Sequence, residues 1–345
     1  MIAPNCPVPH LENEVLLMGH GAGGRLGAEL LANVILPALG EGPTGPLEDA
    51  ALLPGLPELA LTTDSFVVSP LTFPGGDIGS LAVHGTVNDL AMRGAMPVAL
   101  TLSVIAEEGL PLAELHALLG SAGKAARDAE VPVITGDTKV VGRGAADRLF
   151  LNTTGVGRRI SGLTPSAARA RPGDVVLLSG PIAVHGTAVL STREGLGFEA
   201  DIASDTRPLH RLVAALAPFG PHVHTLRDPT RGGLAASLNE IAHDSSIGVE
   251  IEEDALPVPS AVAAACDLLG LDPLTVANEG CLVAFVSPEA ATGALAAMRS
   301  LPEGSAATRI GTALASPAGR VVLHTLVGAR RVVDMPLGEQ LPRIC

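Results

Sequence analysis

Short apolar runs of strand type alternate with amphipathic helices along this chain, and the alternation breaks once and then restarts. Apolar runs of four to eight residues bounded by turn signals read as strands, while i, i+3, i+4 spacing reads as helix. In the first series, Leu59–Thr63, Pro97–Ile105, Val131–Thr135 and Leu149–Val156 are predicted strands. Helices are predicted over Ile78–Arg93 and Leu112–Ala129, and Val131–Thr135 is expected to be buried. The stretch Arg158–Pro172 interrupts the pattern, and Arg171-Pro172-Gly173-Asp174 is a turn. The second series has strands at Val175–Ser179, Val223–Leu226, Val249–Ile251, Leu282–Val286, Arg320–Val327 and Arg331–Val333. Its helices lie near Ala183–Arg193, Pro208–Ala217, from Gly233 to His243, Ser260–Leu269 and Glu289–Leu301. Two such series demand layered sheets covered by helices, an α/β (α+β) architecture in two domains. The expected division is 1–160, 161–333 and an extended, mobile tail at 334–345.

Composition removes several function classes. The 345 residues carry 36 acids against 22 bases, a formal charge of −14. A nucleic-acid protein needs a basic footprint, and stacking on bases needs aromatic rings. This chain has no Trp, no Tyr and 6 Phe, so no nucleic-acid partner is expected. No membrane span is expected, because the apolar window Ala95–Ala106 is short and interrupted by Pro97, Thr101 and Ser103. Cys6, Cys266, Cys281 and Cys345 show no CxxC spacing, which fits a reducing compartment, and no secretory signal opens the chain. The expected location is the cytoplasm.

Acids recur at element ends. Asp64 closes a strand, Asp137 follows Val131–Thr135, Asp228 stands between a strand and a helix, and Asp89 interrupts an apolar helix. Any one of them alone is most simply an N-cap or turn former. Together, beside Gly, Thr, Lys and Arg, they suit Mg²⁺ and a nucleotide, because Mg²⁺ takes carboxylate and phosphate oxygens. Arg231-Gly232-Gly233 offers a cation and bare amides at a helix start, a setting for phosphate. The loop Gly19-His20-Gly21-Ala22-Gly23-Gly24 can wrap a polyphosphate with its amides, with Gly21 and Gly23 as the candidate contacts, or serve as a plain turn. It lacks both the Walker spacing and a strand acid about 20 residues on. Lys139, two residues beyond Asp137, can reach a phosphate or simply pair with that acid. Glu279 precedes a buried-type strand and reads from its spacing as a turn acid, with catalysis as the alternative.

Cys345 is the last residue, on a segment with two prolines and no periodicity. Prenylation needs the cysteine four residues from the end, so that reading fails. A thiol at the tip of an arm is suited to carry a tethered group from one site to another.

MGHGAGGRL, TTDSFVVSP, FPGGDIGSLAVHGTVNDLAMRGAMP, TGDTKVV, RDPTRGGL, VANEG and the terminal PRIC, in that order over essentially the whole chain, resemble the carbamoyl dehydratase (HypE) family of hydrogenase maturation proteins. Its wider relatives include aminoimidazole ribonucleotide synthetase and selenophosphate synthetase. The resemblance implies their two-domain ATP-binding fold, with the N-terminal sheet forming a homodimer interface. It implies ATP-dependent dehydration of a carbamoyl group on Cys345 to a thiocyanate, supplying cyanide for the iron of [NiFe] hydrogenase. The partners it implies are the carbamoyltransferase HypF and the HypC–HypD iron carrier. Carried over by position, Asp64, Asp89, Asp137 and Asp228 become Mg–ATP acids, and Asn88, Thr138 and Lys139 become nucleotide or substrate contacts. Glu279 becomes an acid near the incoming tail. The chain departs from the pattern at His84, Arg93 and Cys281. An ATP-dependent small-molecule phosphotransferase of the same superfamily would keep the acids but have no use for Cys345. A nicotinamide dehydrogenase would rest on the glycine loop alone, and a docking scaffold would need no phosphate release.

Overall fold

The computed structural model describes residues 24–30, 51–52, 59–195, 202–338, 341 and 343–345. The candidate residues Gly21 and Gly23, and Cys6, lie outside the described residues. The first half contributes strands β1 (Ala51–Leu52), β2 (Leu59–Phe66), β3 (Thr72–Phe73), β4 (Gly76–Asp77), β5 (Ala95–Glu107), β6 (Val133–Val141) and β7 (Leu149–Arg159). β3 and β4 form a small hairpin, and the others form a sheet in the order β1-β2-β7-β5-β6. All neighbours in that sheet are antiparallel except β5 and β6.

The helices Ile78–Met92 and Leu112–Asp128 pack together on one face of this sheet. The first begins with a reciprocal cap, in which Asp77 accepts from Ser80 N–H and Ser80 accepts from Asp77 N–H. It is buried nearly all round because the second domain covers what the sheet does not. Leu81 and Ala82 meet Phe66, Val104 and Leu151, while Val83 and Val87 meet Ala122 and Ala126 of the second helix.

β6 departs from the sequence expectation. It runs straight through Gly136-Asp137-Thr138-Lys139 instead of ending before them, and it is exposed along nearly its whole length. Among the described residues it is the last strand of the sheet and pairs on one side only, with β5. Its apolar composition therefore marks an uncovered face: Ile134 is 67% and Val140 69% exposed, with Val98, Ile105 and Val133 also exposed.

The second half adds β8 (Val175–Leu178), β9 (Val223–Arg227), β10 (Gly248–Glu252), β11 (Val283–Val286), β12 (Thr308–Leu314), β13 (Arg320–His324) and β14 (Arg330–Val332). They form a mixed sheet in the order β14-β13-β10-β12-β8-β11-β9. Strand β12 is absent from the sequence reading, because Thr308–Leu314 is broken by Gly311 and lacks a continuous apolar run. Central strands read as unbroken apolar runs because both faces are covered. Val176, Leu178, Val283 and Phe285 face the helix Gly233–Asp244. Leu177, Ala284 and Val286 face the helices His210–Ala215 and Pro288–Arg299. Ala91 and Met92 enter that second core, so the long N-terminal helix ends inside the neighbouring domain. Arg93, where the chain departs from the family pattern, donates from Nη1 to the Pro165 carbonyl at 2.6 Å across the same junction. Among the described residues no helix is long and apolar enough to cross a membrane.

Candidate active site

The segment Val276-Ala277-Asn278-Glu279-Gly280 enters β11 from a loop that must be held from outside. Asn278 is fully buried and uses both ends of its amide. Its Oδ1 accepts from Ala183 N–H at 2.6 Å, and its Nδ2 donates to the carbonyls of Pro229 (2.7 Å) and Val276 (3.1 Å). Asp205 holds the next two residues: one carboxylate oxygen accepts from Glu279 N–H at 3.1 Å, the other from Gly280 N–H at 2.9 Å. Only glycine fits at 280, because a Cβ there would lie 1.8 Å from the Asp205 carbonyl oxygen. Burial raises the Asp205 pKa to about 6, against the pull of these two N–H groups and of Arg207.

Glu279 is thereby fixed with its side chain enclosed, 3% exposed, and its Oε1 has no hydrogen-bond partner among the described residues. Burial, then Asp228, Asp205 and Asp64, push its pKa well above the usual carboxylate range, while Arg231 opposes them. Asp64, near the end of β2, is raised by burial and lowered by Arg231 and by Ser65 N–H, which donates to it at 2.8 Å. Asp228 follows β9 and is buried. Arg231 precedes Gly232 and Gly233, both at positive φ (77° and 61°), which turn the chain into the helix Gly233–Asp244. Asp64, Asp228, Glu279 and Arg231 thus face one another.

Cys345 joins this group. The tail, expected to be loose, is docked between the two domains. Ile344 is buried in the apolar cluster of Phe66, Val68, Leu71 and Phe73, and Cys345 packs against it. The Arg343 side chain pairs with Asp147. The Pro336 carbonyl accepts from Arg25 N–H at 3.1 Å. Burial and the neighbouring Glu279, which shares a hydrogen bond with the thiol, raise the Cys345 pKa well above normal; Asp64 adds to this and Arg231 opposes it. The tail is held because main-chain carbonyls and one apolar side chain find partners, which no local pattern in DMPLGEQLPRIC announces.

The four expected metal acids do not converge as one set. Among the described residues no cluster of three or more acid, His or Cys side chains has metal-holding geometry. Asp89 accepts from Thr62 Oγ1 at 2.9 Å. Asp137 lies on exposed β6, where its pKa is lowered by Lys139, bonded to it at 2.8 Å, and by Thr138 N–H. Strand residues i and i+2 share a face, so Asp137 and Lys139 meet each other there. Asn88, expected to contact nucleotide, is 1% exposed and occupied with main chain: Oδ1 accepts from Leu209 N–H at 2.7 Å and Nδ2 donates to the Arg207 carbonyl at 3.1 Å. It ties the long N-terminal helix to the segment that carries Asp205.

Sequence reasoning missed Asp205, His185, Ser204 and Arg193. His185 is buried, and its ring reaches the tail. Cys281 is a buried packing thiol whose pKa is raised by burial, Asp205 and Asp228.

Residues 47–159 match the N-terminal domain of AIR synthase related proteins, and residues 171–324 match their C-terminal domain. The carbamoyl dehydratase HypE of Rhizobium leguminosarum bv. viciae is 51% identical over 331 residues, 95% of this chain and 94% of that protein. HypE of Bradyrhizobium diazoefficiens is 52% identical over 337 residues, 97% of each. Among solved structures, the hydrogenase maturation protein HypE in complex with ATP is 48% identical, with a TM-score of 0.81, covering 96% of this chain and 100% of that one. The chain from a HypE–HypF complex is 46% identical, with a TM-score of 0.85, covering 89% of this chain and 99% of that one.

Proposed function

The chain belongs to the HypE family of carbamoyl dehydratases, and on that footing we propose that its own Cys345 carries the carbamoyl group that it dehydrates to a thiocyanate. The enzyme is an ATP-dependent dehydratase of hydrogenase maturation. The observation that supports the reading most directly is the Cys345 thiol seated against the enclosed Glu279 carboxyl.

The overall change removes one water from S–C(=O)–NH₂ and leaves S–C≡N, so two N–H protons must depart with the amide oxygen. ATP supplies the phosphoryl group that makes that oxygen a competent leaving group. Glu279, with its raised pKa and unpartnered Oε1, is placed to accept an N–H proton from a group attached to Cys345. Arg231 sets a positive charge beside the carboxylates, where phosphate would enter. Asp64 and Asp228 would hold Mg²⁺: Mg²⁺ is bound through one or two carboxylates with phosphate oxygens and water completing it. Asp228 and Asp64 both raise the Glu279 pKa by their charge, and a cation held between them would relieve that repulsion. Mg²⁺ would supply charge to offset the phosphates.

The uncovered face of β5 and β6 is proposed as the homodimer interface, since exposed valine and isoleucine side chains on a sheet face need cover. Asp137, Thr138 and Lys139 lie on that strand, and in this reading they serve the nucleotide of the neighbouring copy. HypF is the proposed donor of the carbamoyl group and HypC–HypD the acceptor of cyanide, in the cytoplasm. Of the four acids that the sequence reading gave to Mg–ATP, this reading assigns Asp64 and Asp228 to the cation within one chain.

The test is mass spectrometry of the C-terminal peptide after S-carbamoylation and addition of Mg–ATP. The peptide should lose one water while phosphate is released, and Cys345→Ala should give neither carbamoyl nor thiocyanate adduct while still binding ATP. Thiocyanate bound to the Cys345→Ala protein would refute the carrier role. A phosphotransferase would hydrolyse ATP independently of Cys345.

A further inference from the structure

The main chain just before Cys345 is gripped at two successive carbonyls. The Arg343 carbonyl accepts from Ser69 N–H at 3.0 Å and from Arg193 Nη2 at 2.7 Å. The Ile344 carbonyl lies 2.9 Å from His185 Nε2. A carbonyl only accepts, so Nε2 carries the ring proton. Burial lowers the His185 pKa to about 4, so the ring is neutral and Nδ1 is an acceptor. Ser204 Oγ, 2.7 Å from Nδ1, is therefore the donor to it.

Ser204 is itself fixed. Its Oγ accepts from Thr206 N–H at 3.1 Å, and its own N–H donates to the Pro74 carbonyl at 2.7 Å. The Phe73 ring meets the imidazole edge-on, with centroids 5.3 Å apart and planes at 88°. A chain of donors thus runs from Thr206 through Ser204 and His185 to the Ile344 carbonyl. The adjoining Asp205 holds the backbone of Glu279. One short segment, Ser204–Thr206, therefore references both the tail and the acid that the tail must meet.

We propose that His185, oriented by Ser204, is a positioning residue that sets how deeply the arm enters and so where the Cys345 sulfur stands relative to Glu279. The inference rests on the reading of Cys345 as carrier. The peptide bond is planar, so fixing the Ile344 carbonyl fixes the Ile344–Cys345 peptide plane. Only φ and χ1 of Cys345 then remain to place the sulfur. The grip recognises main chain, so it is the same for a bare thiol, a carbamoyl thioester and a thiocyanate. That suits an arm that must return in each of these states.

The test uses full-length protein carrying His185→Leu, His185→Gln or Ser204→Ala. Two rates are followed: alkylation of Cys345 by iodoacetamide, read on the C-terminal peptide, and single-turnover thiocyanate formation by S-carbamoylated protein with Mg–ATP. Loss of one buried hydrogen bond that orients a reacting group predicts about 10-fold faster alkylation and about 10-fold slower turnover for His185→Leu, with ATP affinity unchanged. His185→Gln should restore most of both, because its amide N–H can donate to the same carbonyl. Ser204→Ala should shift both in the same sense, roughly 3-fold. Wild-type alkylation rates in His185→Leu and Ser204→Ala would overturn the proposal; if His185→Leu does not fold, Ser204→Ala decides it alone. A wild-type protein that forms no thiocyanate would overturn the carrier reading, while the alkylation rates would still decide whether His185 holds the arm.

Discussion

The Cys345 thiol shares a hydrogen bond with the carboxyl group of Glu279, a side chain that Asp205 fixes from behind through the backbone. A thiol so placed is a poor nucleophile in the docked state, since burial and Glu279 both disfavour the thiolate. The arrangement suits a thiol that carries a group into the site and is not itself deprotonated there.

Glu279→Gln should lower thiocyanate formation by roughly 10²-fold or more, the range expected for loss of a general base. ATP binding should persist. The same substitution removes a negative charge beside Cys345, so the thiol pKa should fall, readable as faster alkylation at mildly alkaline pH. Turnover within a few-fold of wild type would exclude Glu279 as the base.

Asp205→Asn should be costly although it is nearly isosteric. Both carboxylate oxygens of Asp205 accept from N–H groups, so an amide NH₂ would face a second donor. The expected loss is ~2 kcal/mol in denaturant unfolding, with slower dehydration because Glu279 loses its anchor. Unchanged stability would show that the two N–H contacts contribute little.

His185 has its pKa drawn from 6.5 to about 4 by burial. The unfolded chain takes up this proton below pH 6.5, and the folded protein does not until about pH 4. The contribution of His185 is therefore whole above pH 6.5 and is lost as pH falls toward 4, up to about 3 kcal/mol. Asp205, raised to about 6, works in the opposite sense, gaining stability as pH falls through 6. The comparison that isolates His185 is wild type minus His185→Gln. That stability difference should shrink between pH 6.5 and 4, and a difference independent of pH would contradict a buried neutral imidazole.

On the proposed dimer, wild type should sediment as a dimer and Ile134→Asp combined with Val140→Asp as a monomer in sedimentation velocity, because two charges would enter the apolar face of β6. If Asp137 and Lys139 serve a neighbouring copy, dehydration should fall with dimerisation. A doubly substituted protein that remains dimeric would place the interface elsewhere.

Most elements were legible because their signals are local. The helix Ser260–Leu269 falls where periodicity puts it, and the helix Ile78–Met92 ends one residue before its predicted stop. Arg231-Gly232-Gly233 was legible as a helix start because positive φ favours glycine. Glu279 looked like a turn acid because its surroundings come from Asp64, Asp228 and Asp205, which are distant in sequence. Asn88 entered the sequence reading only through the family resemblance, as a nucleotide or substrate contact, and its role as a backbone tie is not legible, since Leu209 and Arg207 meet it only after both domains pack. The burial expected of Val131–Thr135 does not hold along β6, because an apolar run reads the same in sequence whether or not another element of the chain packs over it.

Ile344 is buried with Phe66 and Phe73, and the half-buried Cys345 packs against that cluster, so the proposed bearer of the reacting group sits at the edge of the hydrophobic core. Folding and chemistry therefore share a variable. Any adduct on the sulfur that seats better or worse than hydrogen must shift the melting temperature by its difference in docking free energy. The bare, carbamoylated and cyanated forms become three thermodynamically distinct proteins, and the progress of the reaction is written into the stability of the fold that performs it.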